Sequence, residues 1–136
     1  MKSRRRVNST VVPQSLANDK ELSRMIYREP QPISRGEAER ILASNDSNAI
    51  AATLVDLAYH ERDWRWAQDK CLAFARYPEP NVRQVAINCL GDIARIHRTL
   101  DLATVLPVLE ELSGDADVTT EDALDDIRTF IPNVAL

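Results

Sequence analysis

Apolar residues recur at helical spacing along most of the chain, and short polar or proline-rich breaks separate the runs. Leu16, Leu22, Met25 and Ile26 carry the first pattern and predict a short helix over 14–28. Glu29-Pro30-Gln31-Pro32 ends it, because proline has no amide to donate and turns the residue before it away from helix. Ser34 and Glu37 then make the S-x-x-E signature of a capping box, opening a helix that runs to about Ser44. Asn45-Asp46-Ser47 caps the next, which reaches His60 with Leu54, Leu57 and Ala58 turned inward. Asp63 caps a helix from Trp64 to Arg76, and Tyr77-Pro78-Glu79-Pro80-Asn81 leads into a long one from about Val82 to Arg98. Asp101 caps Leu102–Leu112, where the internal Pro107 is expected to kink the helix or shorten its first turns. Gly114-Asp115-Ala116-Asp117 turns the chain, and Thr119 or Thr120 caps a last helix that stops before Pro132.

These helices repeat. Leu54-Val55-Asp56-Leu57, Leu90-Gly91-Asp92-Ile93 and Leu124-Asp125-Asp126-Ile127 share a Leu-x-Asp-(Leu/Ile) pattern at intervals of 36 and then 34 residues. Leu72 and Leu109 correspond in the preceding helices, before the turns into Val82 and Val118. A period of this length with two helices in it marks a helical solenoid, in which each pair has an apolar face that only a neighbouring pair can bury. The expected fold is all-α: a short α-solenoid of about three antiparallel helix pairs plus an N-terminal helix. Residues 1–13 are expected to be a flexible basic tail and 14–136 one helical repeat domain.

Pro80-Asn81-Val82-Arg83-Gln84-Val85-Ala86-Ile87-Asn88-Cys89-Leu90-Gly91 resembles the second helix of a HEAT repeat, and Leu102–Leu112 with its internal Pro107 resembles a HEAT first helix. The last repeat departs from that pattern, with Val118-Thr119 where Val-Arg would stand. A narrower similarity rests on Asp63-Trp64-Arg65-Trp66, on Leu90-Gly91-Asp92-Ile93-Ala94-Arg95-Ile96-His97 and on Glu121-Asp122-Ala123-Leu124-Asp125-Asp126-Ile127. Small bacterial HEAT-like proteins of this look are similar to immunity proteins of polymorphic or contact-dependent inhibition toxin systems. The resemblance implies a non-enzymatic protein that neutralises a cognate toxin by covering it.

Composition agrees with a helical chain: 44% hydrophobic and 28% charged residues, with only three glycines. The two cysteines, Cys71 and Cys89, lie in helical stretches without CxxC spacing, so neither a zinc site nor a disulfide framework is indicated. Lys2, Arg4, Arg5 and Arg6 are followed by Asn8, Ser9, Pro13 and Gln14 rather than by the apolar core of a secretion signal. No run has the length of a membrane span, and a cytoplasmic address is expected.

Charge is distributed unevenly. Residues 1–60 hold 9 basic and 7 acidic side chains and 61–98 hold 7 and 5, but 99–136 hold Arg128 alone against 9 acids. Such an acidic end repels phosphate and attracts a basic protein surface.

Candidates for catalysis have simpler roles. His60 and His97 fall near helix C-termini, where an imidazolium complements the dipole. HEAT-repeat di-iron hydroxylases need several His-Glu pairs, and His60-Glu61 is a single one. Cys71 and Cys89 occupy apolar positions with no activating partner, and Gly36, Gly91 and Gly114 form no phosphate loop. Adjacent carboxylates such as Asp125-Asp126 point about 100° apart on a helix. A HEAT-like DNA glycosylase would need a basic track that the last third of the chain lacks. The expected protein is therefore not an enzyme, takes no metal or cofactor, and does not favour nucleic acid.

Trp64 and Trp66, about 200° apart on one helix, are expected to divide, one in the core and the other at an edge where it meets a partner. Asp56, Asp92, Glu121, Asp122, Asp125 and Asp126 are the candidate contacts to a basic toxin, expected to be of nuclease type. The rival reading is an adaptor for endogenous proteins, with a DNA-binding enzyme more distant.

Overall fold

The computed structural model describes residues 29–132, in which all regular structure is helical. The expected basic tail and the helix over 14–28 lie outside the described residues. Six helices follow one another: α1 (Arg35–Leu42), α2 (Ser47–His60), α3 (Trp64–Phe74), α4 (Pro80–His97), α5 (Leu102–Leu112) and α6 (Glu121–Phe130).

Local chemistry sets the helix starts. Ser34, Asp46 and Asp63 each accept a first-turn amide on the side chain, at 3.2, 3.1 and 3.2 Å, and so satisfy donors that the helix itself leaves free. The capping box at Ser34 is half formed, because the Glu37 carboxylate pairs with Arg40 instead. Pro80 opens α4 at a position where its missing amide costs nothing. Asp101 and Thr120 stand at the N-caps of α5 and α6 without a side-chain capping bond. The Asp101 carboxylate accepts the Thr104 hydroxyl at 2.9 Å instead.

Proline does not interrupt α5, which continues through Pro107 to Leu112. Pro107 and Ala103, whose carbonyl loses its helical donor, are both exposed, so water can serve that carbonyl.

α4 is the centre of the structure, packing on α2 to one side, on α6 to the other and on α3 beneath. The second helices α2, α4 and α6 form one layer, and the first helices lie behind them. Ile50, Leu54, Leu57, Ile87, Leu90, Ile93, Val105, Leu109 and Ile127 fill the space between and are essentially inaccessible to water. Burial of each such side chain contributes about 1.5–3 kcal/mol. The repeated Leu-x-Asp-(Leu/Ile) pattern marks this core, with Leu124 only half-buried at the end of the stack.

Polar contacts one repeat apart lock the layers in register. Gln68, buried in α3, accepts the Asp101 amide at 2.7 Å. Gln84 in α4 bonds Thr119 both ways, donating to its carbonyl at 2.9 Å and accepting its amide at 2.8 Å. Arg83 donates to the Tyr77 and Pro78 carbonyls and reaches Asp115 at 3.2 Å, joining the turn before α4 to the turn before α6. Arg76, in the turn after α3, pairs with Glu111 of α5 at 2.7 Å.

Candidate protein-binding face

α4 and α6 approach closely because position 91 has no side chain. A Cβ on Gly91 would stand 3.0 Å from the Ala123 Cα and 2.8 Å from Asp126 Oδ2. The seam opens outward into a cleft of about 450 Å³ lined by Asn88 and Asp92 of α4 and by Asp122, Ala123, Asp125 and Asp126 of α6. Four of the candidate carboxylates, Asp92, Asp122, Asp125 and Asp126, therefore meet in one place, and Glu121 is exposed in the first turn of the same helix.

Electrostatics in the cleft are unfavourable to ionisation. Burial pushes the Asp92 carboxyl above the usual range; a hydrogen bond from Arg95 opposes the shift and Asp126 adds to it. Asp126 is raised by burial first, with Arg95 opposing and Asp122 and Asp125 reinforcing. Arg95 donates to Asp92 at 3.1 Å, and Arg128 is occupied by Asp125 at 2.6 Å. Carboxylates outnumber cations in the cleft, so a guest cation would relieve repulsion already present.

Asp56 does not join them. It is 4% exposed, and its Oδ1 accepts the Gln31 amide at 2.8 Å. The repeat places it in register with Asp92 and Asp126, but the segment over Pro30 and Gln31 lies against it, and His60 Nε2 sits 3.1 Å from the Pro30 carbonyl. Asp56 anchors that segment and has little surface to offer a partner.

The tryptophans do not divide into one core and one surface residue. Both are half-buried against the core, and each carries a cation on its ring: Arg65 lies 4.7 Å from the Trp64 centroid, with Arg35 at 4.6 Å and Lys70 at 5.1 Å from that of Trp66. Arg35 also pairs with Asp63 at 2.9 Å, tying α1 to the start of α3. Both rings sit on the first-helix layer, away from the acidic cleft.

The other candidates for chemistry are quiet. Cys71 and Cys89 are buried as free thiols, and a hydrogen bond between them, followed by burial, holds the Cys89 thiol well above its ordinary pKa. A thiol so placed is a poor nucleophile. Among the described residues no group of three or more His, Cys, Asp or Glu side chains is arranged to hold a metal ion, and no helix is long and apolar enough to cross a membrane.

Tyr59, Arg95, Ile96 and Asn88 escaped the sequence reading. Tyr59 and Ile96 fall outside the Leu-x-Asp-(Leu/Ile) core positions, so an apolar residue out of phase with the repeat was the available signal.

No family model and no curated protein matches this chain. A solved structure does: a chain in the crystal structure of a CDI complex from Cupriavidus taiwanensis LMG 19424 is 37% identical, with a TM-score of 0.70, the match covering 76% of the present chain and 96% of that one. Identity at this level over nearly the whole of the matched chain shows common descent as well as common fold, and this protein belongs to the same family as that component of the CDI complex.

Proposed function

We propose that this protein is a cytoplasmic immunity protein that neutralises a cognate toxin by binding over it, without chemistry of its own. The observation that carries the reading is the 37% identity to a component of a CDI complex, a protein that works in an assembly. The cleft between α4 and α6 supports the finer reading that the toxin surface is basic, as the substrate-binding face of a nuclease is. Asp92, Asp122, Asp125 and Asp126 would receive its cationic side chains, with Glu121 adding to the field that draws the two together. Trp64 and Trp66, covered by their own cations on the other layer, stabilise α3 in this reading and lie outside the recognition face.

Co-expression tests the proposal. A toxin-domain gene should neighbour the gene for this chain; its induction should arrest growth, and this chain supplied from a second plasmid should restore it, with the two proteins co-purifying. Continued arrest in cells that accumulate folded chain, together with no complex between the purified proteins, would overturn the reading.

A further inference from the structure

Among the described residues two large apolar side chains are left exposed, Tyr59 at 39% and Ile96 at 36%. Both lie at the C-terminal ends of second-layer helices, Tyr59 on α2 and Ile96 on α4. Arg95 joins this end of the layer to the acidic cleft. Its guanidinium stands 5.4 Å from the Tyr59 ring centroid and donates to the phenol oxygen at 3.0 Å, while also donating to Asp92 at 3.1 Å. The tyrosine is thus held in place beside the carboxylates before any partner arrives. A ring fixed in advance loses little rotamer freedom on association, and tyrosine with a polar tip is among the side chains enriched at interface hot spots.

Charge narrows what can cover this surface. A nucleic acid or an anionic lipid surface would meet Asp92, Asp122, Asp125 and Asp126 at close range, and a second copy would bring a second set of the same carboxylates to the interface. A basic protein surface meets no such opposition. Apolar residues flanked by charged ones also match the anatomy of protein interfaces, where an apolar centre excludes water and a polar rim sets the partner.

We propose that Tyr59 and Ile96 form the apolar anchor of the interface, seating an apolar side chain of a basic partner whose cations reach the neighbouring cleft. This rests on the toxin-binding reading above. Tyr59 then governs the lifetime of the complex and the carboxylates its rate of formation.

The test uses the full chain and the purified toxin domain from the co-expression experiment above, with association and dissociation followed by biolayer interferometry. Tyr59→Ala should raise the dissociation rate about 30-fold or more, the effect of losing a hot-spot residue, and leave the association rate within about threefold. Tyr59→Phe, which keeps the ring, should bind nearly as wild type. Ile96→Gln should weaken binding about tenfold and carries the test by itself if Tyr59→Ala lowers the melting temperature. Wild-type binding with every variant within twofold would overturn the anchor while leaving the immunity reading intact. No binding by wild-type protein would overturn both.

Discussion

Gly91 shows how much one missing side chain decides. In an ordinary helix Gly→Ala gains about 0.5–1 kcal/mol. Here the new methyl would press on the Ala123 backbone at 3.0 Å, which cannot rotate away as the Asp126 carboxylate can. Overpacking of this kind costs about 1–3 kcal/mol. Gly91→Ala should therefore lower stability in chemical denaturation, and a variant more stable than wild type would contradict the close approach of α4 and α6. The Leu-Gly pair was visible in the sequence, but its purpose was not, since Ala123 and Asp126 lie more than thirty residues away.

Asp126 makes the opposite prediction. Its folded pKa is raised above the unfolded value, so the folded state holds its proton more readily and stability falls as pH rises through the window between the two. The penalty grows as pH rises above the ordinary carboxylate range and disappears below it. Asp126→Asn should raise the melting temperature slightly at pH 7 and leave it unchanged in strong acid. A fall at pH 7 would show that the carboxylate stabilises the fold. A gain in stability with a loss of toxin affinity is the pattern expected of a residue retained for binding.

Helices were legible because their ends are written in local chemistry. Asp46, Asp63, Pro80 and the turns around them announce α2, α3 and α4 within one or two residues, and α5 spans Leu102–Leu112 as its pattern predicted. Contacts between elements were not legible, because they depend on which side chains a period of about 35 residues brings together. Asp56 looked equivalent to Asp92 and is buried; Trp64 and Trp66 looked divided and share a half-buried setting. Gln68 and Gln84, about which the apolar spacing says nothing, join successive repeats. Their environments differ, and so should the cost of losing them. Gln68→Ala leaves the Asp101 amide without its partner beside a buried gap, which costs about 1–3 kcal/mol. Gln84→Ala releases the Thr119 groups to solvent and should cost less. Denaturation midpoints that fall equally for the two variants would contradict the distinction.

Across the whole molecule the layered helices do one thing that matters for function: they turn a charge gradient along the chain into a face. The nine acidic side chains after residue 98 are spread along the sequence, and the fold gathers Asp122, Asp125 and Asp126 against Asp92 of the preceding repeat. Membership in the family of a CDI complex component says that this chain has the ancestry of a protein found in an assembly, and the proposed reading assigns the acidic cleft to a basic partner. The most direct test of that account is the association rate of the Asp122→Lys, Asp125→Lys double variant with the toxin domain, measured at low and high salt against wild type. Exposed carboxylates add little to stability, so the variant should melt close to wild type. Its association rate should fall by about tenfold or more at low salt, with the gap closing as salt screens the field. An association rate equal to that of wild type at low salt, in a variant that melts normally, would contradict the assignment of the α4–α6 face as the recognition surface.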